Sequence, residues 1–220
     1  MSENYNILPR RYAESLLYVD LVDIMSAYRK FSKLVFLSQV LGIREASLSK
    51  YANGRIRPRT ERCLSLVKVL TDSNLVKKAV AEYLKNESLV DLLTDVHFTK
   101  LIALSVLEKI INVFHGSRVE AILTSSEAIL VASHLSHRLK SSLLNLHTVR
   151  GSARIKNLGN CAAVLVMVDE EIVRELSRVK TEGRRTNIRY IFSIVHTREL
   201  ALLSSIFPNA VVDYLIKTPI

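Results

Sequence analysis

Cysteine, glycine and proline are all scarce in this chain. Its 220 residues include two cysteines, six glycines and four prolines. The cysteines, Cys63 and Cys161, lie far apart and neither has a second ligand at metal-binding spacing, so we predict neither a disulfide framework nor a zinc site. Free thiols suit a reducing cytoplasm, which is the setting we expect. The low glycine and proline content favours helices over a loop-rich fold.

Long apolar runs and the short motifs of common enzymes are also missing. Residues 12–28 are interrupted by three acids, so we expect no signal peptide, and no apolar run approaches the length of a membrane span. No Gly-x-Ser-x-Gly, Walker or dinucleotide-binding loop occurs. His134 and His137 stand one helical turn apart, but without a third ligand a solvated helix face is favoured over a metal site. We therefore expect no catalytic residue, no metal and no cofactor.

Basic residues are abundant and unevenly placed. The chain carries 31 Lys and Arg against 21 acids, a net charge of +10, and 49% of its residues are hydrophobic, which is enough for real cores. Residues 44–62 alone hold six Lys and Arg against two acids. A basic chain is often merely soluble, but clustered cations attract polyanions and supply non-specific affinity for nucleic acid.

The most informative stretch runs from Leu37 to Arg59. It predicts a short helix, a turn at Gly42, a second helix, a stop at Asn53-Gly54 and a basic loop. The apolar positions at helical spacing are Leu37, Val40 and Leu41 in the first helix and Ile43 and Leu48 in the second. Two short helices joined by such a turn are typical of a helix-turn-helix element that binds duplex DNA.

In such an element the first residues of the second helix reach base edges, while flanking cations hold phosphates. The residues expected to contact DNA are Arg44, Glu45, Ala46, Ser47, Ser49, Lys50, Arg55, Arg57 and Arg59. Double-stranded DNA is the predicted partner. The alternative is an ordinary helical pair with a solvated arginine loop, in a scaffold that binds protein.

The stretch resembles the lambda-repressor-like (Cro/C1) family of helix-turn-helix domains. The residues that carry the resemblance are Leu37, Gly42-Ile43, Ser47-Leu48-Ser49-Lys50-Tyr51, Asn53-Gly54-Arg55 and Pro58. The chain departs from the family at the start of the first helix, where Lys33-Leu34 replaces the usual Thr-Gln pair and Val35-Phe36 follows. Because these residues are largely apolar, we expect another helix or a second subunit to pack there.

The hydrophobic pattern changes near residue 95. Before it, helices are predicted over 12–30, 60–71 and 73–93. Beyond it, the predicted strands are 119–123, 143–149, 162–168, 188–195 and 210–215, and the predicted helices are 100–114, 126–140, 170–178 and 198–207. Strands that alternate with helices indicate a parallel sheet covered on both faces. We predict an α + α/β two-domain protein, with a helical DNA-binding domain at 1–92 (helix-turn-helix at about 34–59) and an α/β domain at 93–220.

The order of elements over roughly residues 95–215 is similar to the type I phosphoribosyltransferases, especially the orotate branch. The similarity rests on that order, on strand 119–123 with its loop, on Val149-Arg150 and on the apolar strand that ends at Asp169. It implies a domain that dimerises and binds a nucleotide-like or phosphoribosyl-type effector. Such a domain behind a helix-turn-helix resembles a class of archaeal transcription regulators.

Ligands of open α/β sheets bind at the carboxyl ends of the strands. The candidate ligand-binding residues there are Ser125, Ser126, Arg150, Asp169 and Glu170. Alternatives stay open for each group. Thr124 and Glu127 fit a capping box, Arg150 fits a surface or dimer contact, and the acids at 169–171 fit either general acid–base chemistry or the dipole of a helix start.

The turn that binds phosphate in the type I phosphoribosyltransferases is replaced here by Glu171-Ile172-Val173-Arg174-Glu175. Branched side chains shield the backbone, and two acids would repel a phosphate. We therefore expect a homodimeric, sequence-specific transcription regulator whose second domain has lost catalysis. The alternative is an active phosphoribosyltransferase with an appended nucleic-acid module.

Overall fold

The computed structural model describes residues 10–32, 34–149, 158–183 and 185–217. Seven helices come first: α1 (Arg10–Phe31), α2 (Leu34–Leu41), α3 (Glu45–Ala52), α4 (Thr60–Leu70), α5 (Ser73–Tyr83), α6 (Leu89–Thr94) and α7 (Val96–Phe114). Strands then alternate with helices: β1 (Ala121–Thr124), α8 (Ile129–Leu139), β2 (Ser142–Asn145), β3 (Asn160–Leu165), α9 (Glu170–Glu182), β4 (Asn187–His196), α10 (Arg198–Ile206) and β5 (Val211–Lys217). In these ranges no helix is both long enough and apolar enough to cross a membrane.

The chain divides into two compact units, Met1–Ser105 and Val106–Ile220. The division falls inside α7, whereas the sequence pattern predicts a boundary ahead of that helix. The described part of the first unit is entirely helical, and the described strands all belong to the second. The mixed α + α/β character predicted from the sequence is therefore present.

Helix α1 organises the first unit, packing against α3, α4 and α5. Its buried positions recur at helical spacing, among them Leu17, Leu21, Ile24 and Tyr28, and all are at most 2% exposed. The hydroxyl of Tyr28 donates to the carbonyl oxygen of Leu70 at 2.8 Å, so this ring is both packed and satisfied.

The single helix predicted over 73–93 is wrong, because two helices occupy that stretch. Helix α5 ends at Tyr83, and α6 begins at Leu89 behind a capping box. Ser88 Oγ accepts from the backbone N–H of Asp91 at 3.1 Å, and the Asp91 carboxylate accepts from the N–H of Ser88 at 3.1 Å. Hydrogen bonds from the Ser88 hydroxyl and N–H hold the pKa of Asp91 below its usual value. The apolar period continues across the break, which is why periodicity alone missed the new N-terminus.

The second unit is built on a five-stranded, all-parallel sheet with strand order β2-β1-β3-β4-β5. All five predicted strands are present, with shifted ends. Every residue of β1 is buried, as are residues 161–165 of β3. A sheet covered on both faces accounts for runs of apolar residues without alternation, as the sequence predicted.

One face of the sheet packs against α9 and α10. Leu123, Ala163 and Ile191 lie in one apolar cluster with Leu176 of α9 and Leu203 of α10. The neighbouring residues along the strands, such as Ile122 and Val164, are equally buried on the opposite face. Helix α8 packs against β1 and β2.

Two local predictions in this unit are wrong. Strand β2 stops at Asn145, because the Asn145 side chain accepts the backbone N–H of His147 at 2.9 Å and turns the chain. The predicted capping box at Thr124 and Glu127 is absent, because Thr124 is still the last residue of β1 and α8 begins only at Ile129, without a side-chain cap. The hydroxyl of Thr124 instead donates to the carbonyl oxygen of Ser125 at 3.0 Å.

Candidate nucleic-acid interface

Helices α2 and α3 are joined by a turn of three residues, Gly42, Ile43 and Arg44. Gly42 has a φ of +62°, a backbone conformation that is unfavourable for residues with a side chain. Ser38 fixes the turn from α2: its hydroxyl donates to the carbonyl oxygen of Ile43 at 2.7 Å, and its own carbonyl accepts the Ile43 N–H at 3.3 Å. The predicted helix, glycine turn and second helix are present, with three residues between the helices.

The pair is anchored to the core by few residues. Leu37 of α2 and Leu48 of α3 are fully buried, and Ile43 is half-buried. The sequence predicts Val40 on the buried face of α2, and this is wrong, because Val40 is 39% exposed. Val35 is 44% exposed, whereas Leu34 and Phe36 beside it are half-buried, so the described residues cover this end of α2 only in part and packing by a second subunit stays a prediction.

Helix α3 presents a continuous outer stripe, which we call the recognition face. Its members recur at helical spacing and are Glu45, Ala46, Ser49, Lys50 and Asn53. All are exposed except Ser49, which is half-buried. Four of the predicted contact residues therefore share one face. Ser47 lies beside it, half-buried and next to Leu48.

The C-terminal end of the recognition face is held by α1. Arg29 donates from Nη1 to Oδ1 of Asn53 at 2.7 Å, and Nδ2 of Asn53 lies 3.4 Å from Oγ of Ser49. Arg29 is exposed and adds a cation beside α3. Sequence reasoning missed it, because no local pattern marks a contact across 24 positions.

The basic loop, residues 53–59, folds back onto α3 and α1. The N–H of Arg55 donates to the carbonyl oxygen of Lys50 at 2.9 Å, and Pro58 is buried. The guanidinium of Arg57 lies 5.6 Å from the ring centroid of Tyr18, within the range of a cation–π contact. A loop anchored in this way presents its arginines at defined places.

The charge around α3 is predominantly positive. The exposed cations are Arg29, Arg44, Lys50, Arg55, Arg57, Arg59 and Arg62. Two exposed acids, Glu45 and Glu61, lie among them. In the described part of the chain none of these groups forms an ion pair with another side chain. The surface therefore keeps a net positive field that can draw a polyanion.

In the second unit, the strand order places the topological switch point between β1 and β3. The loops after these strands start side by side, since Thr124 is in register with Val164. Ser125, the first residue after β1, is 3% exposed, and its hydroxyl has no hydrogen-bond partner in the described residues. An unsatisfied buried hydroxyl is costly unless a ligand or water completes it.

The other predicted ligand residues are partly engaged. Ser126 Oγ accepts from Nδ2 of Asn145 at 3.0 Å. Asp169 caps α9 by accepting the N–H of Ile172 at 2.8 Å, a structural role at the helix start that goes beyond the dipole interaction expected there. Glu170 is exposed in the first turn of α9. Arg150 lies outside the described residues.

The two thiols are poor nucleophiles. Burial raises the pKa of Cys63 to about 11 and that of Cys161 to about 12, so both stay protonated near neutral pH. In the described ranges no three His, Cys, Asp or Glu side chains come together as metal ligands. His134 and His137 lie on α8, half-buried and exposed respectively.

No protein-family profile matches this chain, and neither curated proteins nor solved structures show significant similarity to it.

Proposed function

We propose that this protein is a sequence-specific, DNA-binding transcriptional regulator. Its first unit reads the major groove of duplex DNA with the recognition face of α3. Arg55, Arg57 and Arg59 of the basic loop hold phosphates, with Arg29 and Arg44 on either side. Phosphate contacts position the protein, and base contacts specify the sequence.

The observation that carries the proposal is the surface of α3 within its setting. The helix follows a three-residue turn, contributes Leu48 and Ala52 to the core, and leaves Glu45, Ala46 and Lys50 of its polar side exposed. The cations around it have no acidic partner in that part of the chain. A scaffold that binds protein would not require so many unpaired cations beside one short helix.

We further propose that the second unit dimerises and senses an anionic effector, a nucleotide or phosphoribosyl-type compound, without catalysing its turnover. The buried hydroxyl of Ser125 at the switch point supports binding there. Asp169 is committed to the cap of α9, and the next residues offer side chains instead of a glycine cradle, which argues against phosphoribosyl transfer. On this proposal the protein works in the cytoplasm as a homodimer.

The proposal is tested by selecting duplexes from a random library with the full chain, then titrating the enriched and a scrambled duplex at two salt concentrations. A specific reader retains its preference as salt rises, while non-specific affinity collapses. The variant Lys50→Ala with Ser47→Ala is expected to lose the preference while its far-UV circular dichroism stays unchanged. An equal loss of affinity for the enriched and the scrambled duplex at the higher salt would contradict the proposal.

The enzymatic alternative has its own assay. The full chain is incubated with phosphoribosyl pyrophosphate, Mg²⁺ and several nucleobases, and released pyrophosphate is measured. We expect release no faster than in the buffer control. Turnover that depends on the base would establish the enzyme instead of the sensor.

A further inference from the structure

The recognition face carries a single acid, Glu45, in the first turn of α3. Glu45 is exposed, and its carboxylate forms no hydrogen bond or ion pair in the described residues, although Arg44 is its neighbour in the chain. An unpaired carboxylate on a surface that attracts phosphates lowers affinity for every DNA. Because Glu45 lowers affinity for DNA in general, we look for a contact through which it favours one particular DNA sequence.

The chemistry of a carboxylate restricts what that gain can be. An ionised carboxylate only accepts hydrogen bonds, so it requires a base that offers a donor in the major groove. Guanine offers acceptors there, and thymine offers an acceptor and a methyl group. Adenine has a donor, but its N7 acceptor lies beside it and repels the second carboxylate oxygen. Cytosine alone offers an amino group, N4, with no acceptor beside it on the major-groove edge of the same base.

The position of Glu45 suits such a contact. The N-terminal residues of a recognition helix contact base edges in the major groove. Glu45 is the first residue of α3, and Ala46 beside it is small and exposed, so these two positions allow a close approach to base edges. Lys50, also on the recognition face, supplies the complementary donor that guanine accepts.

We infer that Glu45 reads a cytosine and rejects the other three bases at one position of the DNA site. The inference rests on the proposed function, since it names what the same surface recognises. Each half-site then contains one cytosine position whose identity depends on this side chain. The acid thus trades general affinity for discrimination.

The simpler account of Glu45 is structural, because an acid in the first turn complements the helix dipole. The two accounts predict different results for Glu45→Gln. Glutamine has nearly the same shape but both donates and accepts, which matches the paired N6 and N7 groups of adenine. A structural role predicts a slightly lower melting temperature with the same DNA preference.

The experiment repeats the random-library selection with the full chain and three variants: Glu45→Gln, Glu45→Ala and Glu61→Gln. Glu61 is the matched control, since it is exposed in the first turn of α4 and its change removes the same charge beside the same cations. Binding to a scrambled duplex is measured alongside, with the melting temperature of each variant.

We expect Glu45→Gln to change the preferred base at one position from cytosine to adenine, and Glu45→Ala to leave that position without preference. The unaltered chain should bind a duplex with cytosine at that position about tenfold more tightly than a duplex with another base there. All three variants should bind scrambled DNA more tightly, and Glu61→Gln should keep the original preference. The same preferred sequence for all four proteins would overturn the inference while leaving the proposed function standing. Failure of the unaltered chain to enrich any sequence would overturn both.

Discussion

At the scale of single residues, the arginines of the basic loop differ from the recognition face in what they can distinguish. Arg57 lies over the ring of Tyr18 and Arg59 immediately precedes α4, so both are positioned by the protein fold. A guanidinium that holds a phosphate meets the same group whatever the base sequence. These side chains should therefore govern affinity and leave preference alone.

Replacing Arg57 and Arg59 by alanine, singly, should weaken binding of the selected and the scrambled duplex by the same factor. The slope of log affinity against log salt should fall by about one for each arginine removed. Arg174→Ala is the control, because Arg174 is an exposed arginine on α9 and its loss should leave the slope unchanged. Loss confined to the selected duplex would show that these arginines read bases.

Residue-scale prediction from the sequence succeeded where the signal was local. The glycine with positive φ and the core position Leu48 were predictable from the helical period and from turn chemistry. Arg29 was not, because its contact with Asn53 depends on how α1 crosses α3. Val40 was misplaced because an eight-residue helix fits several apolar faces nearly equally well.

At the scale of elements, the turn between α2 and α3 sets the direction of α3. Gly42→Ala should lower the free energy of unfolding by about 1–2 kcal/mol, the cost of a Cβ in the left-handed region. Beyond Gly42 and its two chain neighbours, no heavy atom of the described residues lies within 4 Å of that Cβ position, so the cost is backbone strain and not a clash. It is measured by urea denaturation of the full chain, followed by circular dichroism.

Gly42→Asn provides the matched comparison, since asparagine tolerates positive φ better than alanine. The asparagine variant should lose clearly less stability than the alanine variant. Equal stability of Gly42→Ala and the unaltered chain would mean that the turn does not constrain this residue.

Whether a segment forms a helix or a strand was predicted correctly more often than the residues at which it begins and ends. All five strands were found, because buried parallel strands are short β-branched runs between helical patterns. The break between α5 and α6 was hidden, since apolar residues continue at helical spacing while Ser88 and Asp91 start a new helix. The capping box at Thr124 failed because tertiary pairing extends β1 through that residue.

At the scale of the whole molecule, composition and pattern were sufficient to predict a run of helices followed by alternating strands and helices of a parallel sheet. They could not give the strand order, because crossover connections are not written in local periodicity. That order places Ser125 at the switch point and makes it a better candidate for ligand binding than its sequence alone suggested. The ligand-binding role of Arg150 stays a prediction, since this residue lies outside the described ranges.

The central claim is that α3 enters the major groove, twice, in a symmetric dimer. Methylation interference on the selected duplex tests it directly, because methyl groups on guanine N7 block the major groove and those on adenine N3 block the minor groove. The account predicts interference by guanine N7 methylation in two half-sites about one helical turn apart. Interference confined to adenine N3, or none at either position, would contradict it.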